Sequence, residues 1–213
     1  MKFSTIVAAL VGSAVANPIP EAEESKALEK RQTINYVQNY NGNLASFSYN
    51  EAGGNIYAKW NNPSDFVVGL GWSTGTANRV INFGGQYTTT SSGYLTVYGW
   101  INNPLTEYYI VENYSYDPCT VSGSQTVGSV ASDGSTYKIC KHTQINQPSI
   151  TGTATFGQYF SVRQSKRSSG SVTLANHFNA WKASGFQASN FNYQVFAVEA
   201  FGGSGSASLL VSG

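Results

Sequence analysis

Beyond residue 32 the chain alternates short apolar or aromatic runs with clusters of glycine, asparagine and serine. The runs cover 34–40, 44–49, 55–60, 66–70, 79–84, 93–101, 105–113, 126–131, 135–141, 154–163, 191–201 and 205–211. Tyr, Val, Ile, Phe, Trp and Thr dominate them, and many alternate apolar with polar, so each predicts a β-strand. The breaks Asn41-Gly42-Asn43, Gly53-Gly54, Ser91-Ser92-Gly93 and Ser132-Asp133-Gly134 predict turns, and the Gly/Ser-rich stretch Gly202–Ser208 predicts another. Only Ala175–Ser184 departs from this rhythm. Phe178, Trp181 and the alanines share one face there and Gly185 follows, which predicts one short α-helix packed on a sheet. Many short strands with regular turns make an all-β sandwich or jelly roll. No internal repeat, linker or low-complexity tail interrupts the pattern.

The N-terminal stretch follows a different logic. Lys2 precedes an apolar run from Ile6 to Val15 that ends in Ala14-Val15-Ala16. A positive start, a short apolar core and a small-residue site predict a secretory signal peptide over 1–16. The run is too short to span a bilayer, so no membrane anchor is expected. Residues 17–31 carry Glu21, Glu23, Glu24 and Glu29 and close on Lys30-Arg31, which predicts a pro-segment removed at a dibasic site. One domain, 32–213, remains, and the expected location is extracellular.

Charge adds an exclusion. The expected mature chain holds seven acids (Glu51, Asp65, Glu107, Glu112, Asp117, Asp133, Glu199) against eight lysines and arginines. So sparse and balanced a charge offers no field for nucleic acid or an anionic membrane surface. Cys119 and Cys140 are the two cysteines. In a secreted chain such a pair predicts one disulfide, worth ~3 kcal/mol for a loop of about 20 residues. Asn113-Tyr114-Ser115 is an N-glycosylation acceptor sequence.

Seven acids can be weighed singly. Glu51, Asp117 and Asp133 sit in turn-like sequence and are expected to be solvated turn residues. Glu107 lies in Pro104-Leu105-Thr106-Glu107-Tyr108-Tyr109-Ile110-Val111. Alternate strand residues share a face, so its carboxyl sides with Leu105, Tyr109 and Val111. Glu199 sides in the same way with Tyr193, Val195, Ala197 and Phe201. Burying a carboxylate costs several kcal/mol unless it is paired or neutralised. Two such acids beside tyrosines suggest a site in which one carboxyl attacks an anomeric carbon and the other moves the proton. Glu112 has the opposite parity and is expected to face outward or to support the site.

At these residues the chain resembles the glycoside hydrolase family 11 endo-β-1,4-xylanases. The segments that carry the likeness span the expected mature chain. They include Asp65-Phe66-Val67-Val68-Gly69-Leu70-Gly71-Trp72, Tyr94–Trp100, Pro104–Glu112, Asn146-Gln147-Pro148-Ser149-Ile150, Gln158–Arg163, Ala175–Trp181 and Tyr193–Ser204. The resemblance implies a β-jelly roll of two curved, mostly antiparallel sheets forming a cleft, with one helix behind. It implies endo-acting, retaining hydrolysis of xylan, with Glu107 as nucleophile and Glu199 as acid/base. Tyr98, Tyr109, Gln158, Tyr40 and Tyr193 match substrate-binding positions, and Pro148-Ser149-Ile150 matches the tip of a mobile "thumb" hairpin. Asp65 matches the residue beside the acid/base, where aspartate resembles an acid-active subgroup. Gln144 departs from the family, standing where many relatives carry an arginine near the nucleophile.

The remaining polar groups carry plainer expectations. His142 and His177 are isolated, so structural hydrogen bonds are expected of them, with no metal site and no cofactor. A monomer is expected, with xylan as its partner and neither nucleic acid nor membrane. Two rivals stay open at this level: a non-catalytic carbohydrate-binding jelly roll, and a β-1,4-glucanase on a similar fold.

Overall fold

The computed structural model describes residues 33–90 and 92–213. The expected signal peptide and pro-segment lie outside the described residues. Among the described residues, thirteen strands form two sheets and one α-helix accompanies them. The strands are β1 (Tyr36–Tyr40), β2 (Ser46–Asn50), β3 (Asn55–Asn61), β4 (Phe66–Trp72), β5 (Val80–Thr89), β6 (Ser92–Asn102), β7 (Leu105–Tyr114), β8 (Gln125–Ser132), β9 (Ser135–Ser149), β10 (Gly152–Arg163), β11 (Ser169–Thr173), β12 (Phe191–Phe201) and β13 (Ser204–Ser212). The larger sheet runs β1-β4-β12-β6-β7-β10-β9-β8 and the smaller β11-β5-β13-β3-β2. Every pairing is antiparallel except that of β10 with β7.

The two faces of the larger sheet do different work. One parity of β4, β6, β7 and β12 packs against the smaller sheet and the helix, joining Phe66, Leu70, Leu95, Val97, Tyr108, Ile110, Phe196 and Val198 to Trp60, Ile81 and Phe83. Each such side chain contributes about 1.5–3 kcal/mol by leaving water. Phe83 stacks on Phe196 across the two sheets at 4.2 Å. The other parity builds a second apolar cluster from Val67, Tyr94, Tyr98, Trp100, Tyr109, Phe156, Phe160 and Tyr193. A sheet covered on both faces shows near-continuous burial, and β4 is buried at all seven positions. The smaller sheet has one wet face, and β3 alternates strictly between exposed and buried.

The helix α1 (Leu174–Lys182) lies where the sequence predicts one. Leu174, His177, Phe178 and Trp181 form its buried stripe. Gly185, at φ +98°, follows its last turn. Its start is held from outside the helix. Asp133 accepts from the Thr173 amide at 2.9 Å and from the Thr173 hydroxyl at 2.8 Å.

Several expectations are corrected. Asp133 is therefore a half-buried clamp between the β8–β9 turn and α1, and not merely a solvated turn acid. Asp117 likewise caps the short 3-10 turn Pro118–Thr120 and pairs with Lys138. Glu112 faces inward and is fully buried, because β7 is covered on its inner face as well. It accepts from Tyr137 at 2.7 Å and from Arg167, with Arg163 at 3.9 Å. His177 makes no hydrogen bond to protein through either ring nitrogen. It sits edge-on to Tyr137 at 4.6 Å, and burial pushes its pKa down to about 3, so it stays neutral. The turn expected over Gly202–Ser208 shrinks to Gly202 and Gly203, since β13 begins at Ser204. The polar edge strand β11, with only Val172 buried, has no counterpart among the predicted strands. The disulfide Cys119–Cys140 forms as expected.

Candidate active site

The second face of the larger sheet lines a cleft of about 590 Å³. Pairing register sets its floor. Trp100 lies opposite Glu107, Glu107 opposite Gln158, and Gln158 opposite His142, so one row crosses β6, β7, β10 and β9. The neighbouring row holds Val195, Tyr98, Tyr109, Phe160 and Cys140. Glu199 enters from β12 opposite Tyr94 on one side and Val67 on the other. Tyr94 and Trp100 are six residues apart on β6, which in a flat sheet would be roughly 20 Å. Glu107 and Glu199 nevertheless line one cleft and interact electrostatically, with the Tyr109 hydroxyl as a common neighbour.

The two carboxyls have different environments. Glu107 accepts three hydrogen bonds: from Tyr98 at 2.7 Å and Tyr109 at 3.0 Å on Oε1, and from Gln158 at 2.6 Å on Oε2. Trp100 donates in turn to the Tyr98 hydroxyl at 2.8 Å, fixing that phenol. Burial pushes the Glu107 pKa up while these three donors pull it back. Glu199 has an Oε2 that is buried and makes no hydrogen bond to protein. Burial, then the charges of Asp65 and Glu107, drive its pKa well above the ordinary carboxylate range. Burial raises both carboxyls, and Glu199 is raised further because three donors offset burial at Glu107 while Tyr109 alone does so at Glu199. Glu107 thus gives up its proton before Glu199, the division that acid- and nucleophile-assisted bond cleavage requires.

All nine residues predicted for the site line this one cleft: Glu107, Glu199, Asp65, Tyr40, Tyr98, Tyr109, Pro148, Gln158 and Tyr193. Tyr40 is half exposed at the cleft edge, whereas Tyr193 stacks on Tyr36 at 4.7 Å within it. Asp65 is on the exposed rim, and desolvation by the cleft wall raises its carboxyl pKa. Gly42 fits tightly over it; a Cβ there would lie 1.9 Å from the Asp65 carbonyl oxygen. Pro148 sits near the end of β9, past the part that pairs with β8, so its missing N–H faces no partner strand on that side. Pro148, Ser149 and Ile150 overhang the cleft from the β9–β10 hairpin.

The sequence reading left out several lining residues. Trp100 and Phe156 contact each other at 4.8 Å, and Phe160 stacks on Tyr109 at 4.8 Å. Strand parity with Tyr98 and Gln158 was the signal that could have found them. Tyr116, Pro118 and Val121 line the cleft from the segment tied down by Cys119–Cys140, and no periodicity marks them. Among the described residues no three His, Cys, Asp or Glu side chains cluster as metal ligands.

A two-sheet jelly roll whose concave face presents two unlike buried carboxyls among tyrosines and a tryptophan defines a glycoside hydrolase. Comparison with known proteins agrees. The pattern of glycosyl hydrolases family 11 matches residues 32–210. Endo-1,4-beta-xylanase 11A of Mycosarcoma maydis is 64% identical with both chains fully covered. Endo-1,4-beta-xylanase 1 of Aureobasidium pullulans is 55% identical, again over the whole of both chains. A solved chain from a structural comparison of two major endo-1,4-β-xylanases of Trichoderma reesei superposes with a TM-score of 0.79 at 51% identity, covering 85% of this chain and 100% of that one. The chain belongs to glycosyl hydrolases family 11.

Proposed function

We propose that this chain is a secreted, monomeric endo-1,4-β-xylanase, that Glu107 is its nucleophile and that Glu199 is its acid/base. The observation that carries the assignment of roles is the asymmetry in hydrogen bonding: Tyr98, Tyr109 and Gln158 support Glu107, whereas Tyr109 alone supports Glu199, whose buried Oε2 has no partner in the protein. In the first step Glu199 gives its proton to the glycosidic oxygen as the C1–O bond breaks. Glu107 bonds to C1 through a carboxylate oxygen, forming a glycosyl ester. In the second step the Glu199 carboxylate takes a proton from water, the water oxygen attacks C1, and Glu107 leaves as carboxylate. Two displacements at C1 retain its configuration. Tyrosines and Trp100 supply flat apolar faces for sugar rings and hydroxyls for their oxygens. All nine predicted site residues come from one chain, so the proposed reaction calls on no residue of a second copy.

Substrate choice follows from cleft width. A xylose unit lacks the exocyclic hydroxymethyl group, and walls formed by Tyr40, Tyr193 and the Pro148 hairpin leave glucose polymers the bulkier fit. Xylan should therefore release reducing sugar at least ~10-fold faster than soluble cellulose, a ratio within the reach of steric discrimination. Equal rates would make the chain a glucanase as much as a xylanase. Binding to xylan without release would make it a binding module.

Extracellular location is supported by the N-terminal Lys2–Ala16 pattern and the disulfide. Among the described residues no helix is long and apolar enough to cross a membrane.

Asp65 is proposed to set the working pH. Its charge lies close enough to raise the pKa of both glutamates. Once ionised, it holds the Glu199 proton too firmly for efficient transfer, so activity falls as Asp65 titrates. Asp65→Asn cannot ionise. The basic limb of its pH–rate profile is expected on the order of one unit higher than that of the parent. An unmoved limb would remove Asp65 from this role.

A further inference from the structure

Gln158 has to present the correct end of its amide to Glu107. An ionised carboxylate only accepts, so the 2.6 Å bond to Glu107 Oε2 needs the Nε2 end of the amide. Oε1 then points the other way, and two groups converge on it. Gln144 Nε2 lies at 3.2 Å and His142 Nδ1 at 3.3 Å. Both come from β9, where His142 stands directly opposite Gln158. The other edge of the imidazole is also confined. Gly123 has φ +84°, and a Cβ built on it would approach His142 Nε2 to 3.3 Å. The segment holding Gly123 is tied to β9 by Cys119–Cys140, and Cys140 is two residues before His142. The ring therefore sits between a fixed glycine and the Gln158 carbonyl.

We propose that His142 is a positioning residue for hydrolysis: donating from Nδ1 to Gln158 Oε1, it holds, with Gln144, the amide orientation that donates to Glu107. The proposal rests on the reading of Glu107 as nucleophile. With the amide reversed, its oxygen would face the carboxylate, replacing a donor with a repulsive dipole and disfavouring the charged form. The other groups facing Glu107 are Tyr98 from β6, Tyr109 from β7, Tyr193 and Glu199 from β12, and Asp65 ahead of β4. None of them contacts Gln158 Oε1 among the described hydrogen bonds, so His142 and Gln144 are the groups that set its orientation.

The test compares His142→Ala, His142→Asn, Gln158→Ala and the double variant His142→Ala/Gln158→Ala on xylan across pH, with Glu107→Gln alongside. His142→Ala should lower kcat roughly 3- to 10-fold, the scale of one lost hydrogen bond, with KM within about twofold. The acid limb, where Glu107 loses its proton, should move to higher pH. His142→Asn should restore both, because its Nδ2 reaches the place of the imidazole Nδ1. In the Gln158→Ala background, His142→Ala should have no further effect, since the two act as one unit. A His142→Ala variant with an unmoved acid limb, or one whose loss adds fully to that of Gln158→Ala, overturns the proposal. If Glu107→Gln keeps its activity, the nucleophile assignment falls and takes this proposal with it. If Glu107→Gln is inactive while His142→Ala matches the parent, only the role of His142 falls.

Discussion

Glu107→Gln is expected to release reducing sugar from xylan at least ~10⁴-fold more slowly than the parent, the scale seen when a covalent nucleophile is removed. The amide has nearly the shape of the carboxylate but cannot form the glycosyl ester. Glu199→Gln should lose about 10²–10⁴-fold, the range of a general acid/base. Loss of fold is separated from loss of chemistry by thermal melting, and for Glu199 the sign is informative. Its folded pKa lies well above the ordinary value because it is buried. A carboxyl of that kind contributes its full stability below its unfolded pKa, about 4.3, and loses it as pH rises through the folded pKa. Glu199→Gln has no charge to bury. It should melt above the parent at neutral pH, and the difference should vanish below about pH 4. An inactive but more stable variant is the signature of a residue kept for chemistry. Near-parental activity in either variant would remove that residue from the proposed pair.

Glu112→Ala should destabilise the fold by about 3–5 kcal/mol without a direct effect on the reacting atoms. Glu112 is fully buried on the face of β7 away from the cleft, where it accepts from Tyr137 and Arg167. Arg163 donates to the same Tyr137 hydroxyl at 2.5 Å and to the Asp133 carbonyl at 3.0 Å. Removing the carboxylate leaves two guanidinium groups against a tyrosine with no anion between them. Urea unfolding should show a lower midpoint at similar slope, with kcat on xylan close to the parent at temperatures where the variant is folded. A change under 1 kcal/mol would mean that water replaces the carboxylate there at little cost.

Much of the site was legible because strand parity is a local property. Glu107 shares a face with Tyr109 two residues on, Glu199 shares one with Tyr193 six residues back, and both faces prove to be the cleft face. The same rule did not reveal Glu112, because parity distinguishes two faces but does not say that both are covered. It did not reveal His142 either. An isolated histidine has no local partner, and only the pairing of β9 with β10 sets it opposite Gln158. Asp133 was read as a turn acid because its partners on Thr173 lie 40 residues away. The β11 strand escaped because it has one buried residue and lies at a sheet edge, where pairing with β5 supplies what its composition lacks.

By itself the sequence determined the strand-rich class, the single helix, the disulfide pair and the two glutamates set among tyrosines. Each is written in periodicity, turn residues or residue type within a dozen positions. The tertiary structure alone decided that residues of distant strands meet in one row, and that Glu107 takes three hydrogen bonds where Glu199 Oε2 takes none. The reason is that register and curl arise from pairing between strands far apart in the chain. Burial, charge and hydrogen bonding at a carboxyl depend on those neighbours and not on the residues beside it in sequence.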